Sequence, residues 1–177
     1  MPFTPIHLGP AAFLKSILGP RFSFVVFGGS QVLIDLEPLI QIIRGADVLH
    51  GPSHTLLGAL VFGVLASLLG KPIGEYFLQL IRYTDTRIAW AASCCGAFLG
   101  TFSHILLDGI MHADMSPWVP LSQSNTLLDA ITVTELHLLC YGLGIAGGSI
   151  LALKYYLQKT ANKDTRPPDD ESHHGGV

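Results

Sequence analysis

The sequence predicts an all-α, multi-pass membrane helix bundle with about four spans and a short N-terminal half-helix. Of the 177 residues, 49% are hydrophobic and only 13% are charged, whereas roughly 25% of the residues in a soluble domain are charged. Three stretches, 48–70, 88–107 and 136–153, contain no Asp, Glu, Lys or Arg, and a membrane span needs about 20 mainly apolar residues. This composition excludes a typical soluble globule, a disordered chain and a basic nucleic-acid-binding protein.

Proline and glycine mark the ends of the predicted helices. The segment 10–18 lies between two Gly-Pro pairs and rises only about 15 Å, so we expect a half-helix there. The first span ends before Pro38, because proline disfavours helical geometry in the residue that precedes it. The second span begins with Pro52 in its first turn. The predicted spans are 22–37, 53–70, 88–111 and 133–157.

The chain divides into a membrane-embedded domain, residues 1–158, and a polar tail, residues 159–177. The tail contains two adjacent prolines and three consecutive acidic residues and is predicted to be disordered. Nine of the ten Lys and Arg residues are expected at the end of the bundle that holds this tail and the 71–87 connection, and only Arg44 at the other end. The positive-inside rule therefore predicts an inner (cytoplasmic) membrane protein with a cytoplasmic C-terminus.

Ionisable residues of the predicted spans lie toward the opposite, outer end. Such residues are costly in a membrane and mark function by default. His104, Asp108 and His112 follow an i, i+4, i+8 spacing, which would put all three on one stripe of the third helix. Because a histidine and a carboxylate one turn apart can share a metal ion, this spacing predicts a metal site.

Other candidate ligands precede this stripe in the chain. Asp35 and Glu37 diverge on a regular helix but converge if the chain leaves the helix before the following proline. His54 lies in the first turn of the second span. His50 precedes that helix and is either a ligand or a surface loop histidine. His7 reaches the cluster only if the half-helix descends from the outer end, and with a cytoplasmic N-terminus it would be a bystander.

Neutral imidazoles and carboxylates favour Zn²⁺, with Mn²⁺ or Fe²⁺ as alternatives. Five or six candidate ligands exceed one tetrahedral site, so they indicate either two ions or one ion with supporting hydrogen-bond partners. A metal lowers the pKa of bound water toward about 7, which is hydrolase chemistry. The sequence contains no G-x-S-x-G motif and no P-loop. The predicted reaction is therefore attack of metal-activated water on an ester or phosphoester, in a membrane lipid or a small molecule.

The order of these motifs resembles the YdjM-like family of membrane-bound, metal-dependent hydrolases, which is also called LexA-binding. The resemblance covers about residues 1–125. It rests on His7, IDLEP at 34–38, HGPSHT at 50–55, SHILLD at 103–108 and the proline-containing stretch 116–120. Glu37 stands where the family more usually has aspartate, and Ser53 stands where threonine would precede His54. The resemblance implies a multi-pass membrane hydrolase, and it implies the metal ligands His7, Asp35, Glu37, His54, His104 and Asp108.

Roles for the remaining polar residues follow from this interpretation. Glu37 is either a ligand or the general base, and His112 and Asp114 act in proton transfer or orient the ligands. Two other functions stay open. An ion-coupled transporter would need a polar path to the other end, yet 60–69 and 143–153 contain no ionisable residue. A non-catalytic adaptor would bind a soluble regulator through its tail or the 71–87 connection.

Overall fold

Helices dominate the structure. The computed structural model describes residues 5–164, and within that range helices are joined by loops without any β-strand. The helices are α1 (Gly9–Leu18), α2 (Phe24–Ile34), α3 (Leu36–Arg44), α4 (Leu56–Leu80), α5 (Trp90–Met111) and α6 (Val133–Asp164). Four helical segments, with α2 and α3 counted as one, are long and apolar enough to cross a membrane. The predicted all-α bundle of about four spans with an N-terminal half-helix is confirmed.

The first span is interrupted at Asp35 and does not end at Glu37. α2 stops one residue before Asp35, α3 starts one residue after it, and α3 is closed by Gly45, whose φ of 66° lies in the left-handed region. Pro38 occupies the first turn of α3, where the amide hydrogen that proline lacks would have no helical acceptor. The predicted helix end before Pro38 was therefore wrong, because this proline is compatible with a helix start.

The second span also continues beyond its predicted end. α4 runs through Pro72, so the connection to α5 is residues 81–89 and not the predicted 71–87. The amide of Ile88 donates a hydrogen bond to Glu75 Oε1 at 2.8 Å. This bond ties the extension of α4 to the start of α5.

The last helix is longer than predicted as well. α6 continues to Asp164, so the first six residues of the predicted tail, 159–164, are helical. The disorder predicted for the rest of the tail concerns residues outside the described range.

Small residues let α5 pack closely against α2. A Cβ on Gly96 would lie 2.5 Å from the carbonyl oxygen of Ser23, and a Cβ on Gly100 would lie 2.0 Å from Ser30 Oγ. Such backbone-to-backbone packing is typical of helices in lipid. It brings the break at Asp35 level with the last turns of α5. We call this end of the bundle, with the 45–55 and 112–132 connections, the site end.

The half-helix α1 packs along α6 and descends from the site end. At the far end of α1, Lys154 Nζ donates to the carbonyl of Ser16 at 2.7 Å, and Lys15 Nζ donates to the carbonyl of Phe22 at 2.8 Å. Because these contacts anchor the C-terminal end of α1 away from the site end, the turn that precedes α1 lies at the site end. That turn carries His7.

Candidate metal centre

Four of the predicted ligands form one buried group at the site end, which we call the inner group. It consists of Asp35, His54, His104 and Asp108, and each offers a ligand atom within 4.8 Å of the others. None of the four is more than 4% exposed. Asp35 comes from the break between α2 and α3, and His54 from the 3-10 turn that precedes α4. His104 and Asp108 lie one turn apart on α5.

The atoms of the inner group are spaced as they would be around a single metal ion. His104 Nε2 lies 3.2 Å from Asp35 Oδ1 and 3.2 Å from Asp108 Oδ2. His54 Nε2 lies 3.6 Å from Asp108 Oδ2 and 3.8 Å from Asp35 Oδ1. Ligand atoms that are each about 2.1 Å from a tetrahedral metal are about 3.4 Å apart. The observed distances therefore fit such a site with small shifts.

The hydrogen bonding of the inner group also fits a cation. His54 Nε2 and both ring nitrogens of His104 are buried and have no hydrogen-bond partner among the described residues. Buried carboxylates are stable only when they are paired or coordinate a metal, and here they lie 3.2 to 3.8 Å from these imidazole nitrogens. Two imidazoles and two carboxylates suit Zn²⁺, Mn²⁺ or Fe²⁺. The inner group could therefore hold a divalent metal ion.

His7 lies directly beside the inner group. Its Nδ1 is 3.6 Å from Asp108 Oδ1, while the other oxygen of Asp108 faces His54 and His104. Its ring also contacts the ring of His104, with centroids 5.6 Å apart. His7 is 1% exposed, and neither of its ring nitrogens has a hydrogen-bond partner in the described part of the chain. The half-helix therefore brings His7 within reach of the site, which the sequence alone left undecided.

Glu37 is not part of the inner group, because its carboxylate is engaged by Ser53. Glu37 Oε2 accepts hydrogen bonds from the amide of Ser53 at 2.8 Å and, at shorter range, from the Ser53 hydroxyl. Ser53 Oγ also lies 2.8 Å from His54 Nδ1. The Ser53 hydroxyl proton has two acceptors, Glu37 Oε2 and, at 3.3 Å, the Ile34 carbonyl. Because both only accept, Ser53 Oγ accepts from His54 Nδ1. This fixes the tautomer that leaves His54 Nε2 free to bind a metal.

The predicted stripe of three residues on α5 holds only for His104 and Asp108. The helix ends at Met111, and His112 adopts an extended conformation with φ −117° and ψ 118°. His112 therefore leaves the helix face. Asn125 fixes this exit, because its side-chain amide donates to the carbonyls of Gly109 and His112.

His112 joins a second cluster, which we call the outer group and which consists of His50, His112 and Asp114. Their ligand atoms lie within 4.8 Å of one another. His50 Nδ1 is 2.9 Å from Asp114 Oδ1, and the rings of His50 and His112 are 4.2 Å apart at an angle of 30°. The ring of His50 also meets the ring of His54 edge-on, at 4.8 Å. The outer group is thus adjacent to the inner group.

The environment shifts the pKa values of two members of the outer group. Partial burial raises the pKa of Asp114, but hydrogen bonds from the amides of Leu49 and His50 and from the His50 ring outweigh it and lower that pKa to about 2. Burial lowers the pKa of His112 from its ordinary value. At neutral pH the outer group therefore contains a carboxylate and a neutral His112, which are the forms that bind metals.

A cavity of about 450 Å³ opens beside the outer group. Its lining is mainly apolar and includes Leu57, Val61 and Phe62, and His50, Ser53 and Ser116 are among its polar lining residues. Leu57 and Val61 are about half exposed on the outer face of α4. The cavity therefore connects the membrane-facing surface of the bundle with the polar cluster.

Three residues without an assigned role in the sequence analysis lie around this site. Ser53 joins Glu37 to His54, a link that its position next to a predicted ligand could have suggested. His50, for which the sequence allows either a ligand or a surface loop histidine, joins the outer group. His137 at the start of α6 has a buried Nε2 with no hydrogen-bond partner in the described range. Its location in the stretch 136–153, which contains no Asp, Glu, Lys or Arg, is the sequence signal for it.

Comparison with known proteins places the chain in a family. No curated protein and no solved structure matches the chain significantly. The model of the family described as YdjM inner membrane protein matches residues 13–163. This stretch includes every residue of the inner and outer groups and all four membrane-crossing segments. With four such segments, a buried cluster at one end and a family match over most of its length, the chain belongs to the YdjM inner membrane protein family.

Proposed function

We propose that this protein is a membrane-embedded, metal-dependent hydrolase that cleaves an ester or phosphoester bond of a membrane lipid. One observation carries the proposal. Two histidines and two carboxylates are buried together, with imidazole nitrogens 3.2 to 3.8 Å from carboxylate oxygens, and a mainly apolar cavity lined by His50 and Ser53 lies next to them.

The inner group would hold the metal, with Zn²⁺ as the first choice for this donor set. Asp35, His54, His104 and Asp108 would supply the ligand atoms, and His7, whose Nδ1 is 3.6 Å from Asp108 Oδ1, is close enough to add a fifth. When bound, such a metal makes water a nucleophile at neutral pH and polarises the substrate oxygen. The protein contributes ligands held in place by α5 and by the break between α2 and α3.

The surrounding residues orient these ligands. Glu37 and Ser53 hold His54 in the tautomer that a ligand needs, so Glu37 acts through His54 in this arrangement and is a positioning residue. His50 Nδ1 lies 2.9 Å from Asp114 Oδ1, and His50 also lines the cavity. A substrate bound in the cavity would therefore lie next to the His50 ring.

The cavity supports a lipid as the substrate. Its apolar wall includes Leu57 and Val61, which face the outside of α4 about half exposed. A substrate with an acyl chain could enter from the membrane along this wall, while its polar head would meet His50 and Ser116. Ligand sites of this kind are mostly apolar with few polar groups that fix orientation.

The test is turnover and metal content of the same purified preparations. Full-length protein in detergent, loaded with Zn²⁺, should hydrolyse esters or phosphoesters in a panel of lipids, and chelation should abolish the activity until Zn²⁺ is restored. D108N should lose the zinc of the inner group and turnover together. D85N, which changes a carboxylate in the 81–89 connection, is the matched control and should retain both.

Two results would contradict the proposal. D108N with the zinc content of D85N would show that the inner group does not hold the metal. Zinc-loaded protein that hydrolyses no lipid ester or phosphoester would leave a metal site without hydrolase activity and would favour the adaptor function.

A further inference from the structure

We propose that the outer group is a second metal site, which binds a divalent transition-metal ion through His50, His112 and Asp114. This inference rests on the proposed function, because the second ion would complete a two-metal centre with an ion in the inner group. It concerns three residues that the family resemblance does not include among the ligands.

The donor set of the outer group suits a transition metal. Two imidazoles and one carboxylate leave coordination positions open, which is typical of catalytic zinc and of non-haem iron sites. The ligand atoms of all three residues lie within 4.8 Å of one another. Within the group, His50 Nδ1 lies 2.9 Å from Asp114 Oδ1, compared with roughly 3.4 Å between two ligand atoms of a tetrahedral metal.

Hydrogen bonds hold together the two loops that carry the outer group. Asp114 Oδ2 accepts from the amides of Leu49 at 2.9 Å and His50 at 3.1 Å, which joins the loop before α4 to the loop after α5. Asn125 holds the carbonyl of His112 at 3.1 Å. Ligands supported in this way by hydrogen bonds are typical of built metal sites.

The position of the outer group points to a role in the same reaction. The ring of His50 contacts the ring of His54, with centroids 4.8 Å apart, and His50 also lines the cavity. An ion in the outer group would therefore lie between the inner group and the place where a substrate head group enters. In two-metal hydrolases the paired ions stabilise the attacking and the leaving oxygen.

An ordinary structural explanation makes a different prediction. His50 and Asp114 could form only a hydrogen bond that joins two loops, with His112 packed on top of His50. In that case a change at His112 would leave the metal content as it is. The number of ions per chain therefore separates the two explanations.

The experiment measures zinc per chain by elemental analysis of the full-length protein in detergent after equilibration with Zn²⁺ and removal of the excess. We expect two zinc ions in the wild type, and one in H112A and in D114N. D47N changes an exposed carboxylate in the loop before α4 and should keep both ions. Because D114N could also loosen the loops, H112A is the decisive variant, and the zinc that remains in the inner group serves as its folding control.

The outcomes for the two sites can be told apart. One zinc in the wild type that is unchanged in H112A and lost in D108N would overturn the second site and leave the proposed function intact. One zinc that is lost in H112A and retained in D108N would overturn the inner site instead. Two zinc ions in H112A would refute the assignment of His112 as a ligand.

Discussion

The contact between α1 and α6 determines whether His7 can reach the metal centre, and one methyl group should disrupt it. A Cβ on Gly147 would lie 2.2 Å from the amide nitrogen of Phe13 and 2.3 Å from the carbonyl carbon of Ala12. Both contacts are to backbone, so no side chain can rotate away. G147A must therefore push the half-helix outward by about 1 Å, the difference between 2.2 Å and an ordinary contact of 3.4 Å.

The neighbouring glycine provides the matched control. Nothing lies within 4 Å of a Cβ built on Gly148, and both positions lie inside α6. The intrinsic gain from replacing glycine with alanine in a helix, about 1 kcal/mol, is the same for both variants and cancels in the comparison. The difference between G147A and G148A is then the overpacking cost alone. We expect about 3 kcal/mol, at the upper end of the usual range because the clash is with backbone.

Thermal unfolding in detergent, followed by circular dichroism, measures this difference. With about 2–4 °C per kcal/mol for a chain of this size, a cost of about 3 kcal/mol should make G147A melt about 6–12 °C below G148A. Zinc affinity should fall in G147A as well, because the shift of α1 carries His7 away from Asp108 Oδ1, now 3.6 Å distant. Equal melting temperatures for the two variants would refute the packing of α1 on α6 described above.

Three further predictions use other parts of the chain. A reporter fused after Lys159 should behave as cytoplasmic, and one inserted at 121–124 should behave as external, because nine of ten basic residues are expected at the end of the bundle opposite the site. Reversed signals would contradict the predicted orientation in the membrane. S53A and E37Q should each lower zinc affinity about 10-fold, measured by competition with a chelating dye, because both remove a hydrogen bond that fixes the tautomer of His54. The double variant should lose little more affinity than either single variant. Fully additive losses would show that the two residues do not act through the same link. T55A should lower the free energy of unfolding by about 1 kcal/mol in chemical denaturation, because Thr55 Oγ1 caps α4 by accepting from the Gly58 amide at 3.0 Å. T55S should retain the cap and the stability. A T55A protein as stable as T55S would show that this cap contributes nothing.

Much of the fold could be predicted because membrane spans are local features. Uncharged stretches such as 88–107 are long enough to cross a bilayer, and a bilayer imposes helices on such stretches. The pair His104 and Asp108 could also be predicted, because residues four apart on one helix share a face whatever surrounds them. Most residues of the site could therefore be predicted from the sequence.

The rest of the site depends on contacts between distant segments. Whether His112 stays on the stripe depends on where α5 ends, and Asn125 in the following loop decides this by capping its last carbonyls. The place of Glu37 depends on Ser53, sixteen residues away, and on a helix break at Asp35 that local propensities did not indicate.

A four-span bundle with histidines and carboxylates at one end follows from the sequence alone, because span length, charge and helical spacing act within a single segment. Which of these residues meet depends on how the segments pack. His7 reaches Asp108 because glycines allow α1 to lie against α6, and His50 meets Asp114 because a carboxylate 64 residues away accepts its loop amides. Both contacts depend on packing and hydrogen bonds between segments that are far apart in the chain, so no local sequence pattern predicts them.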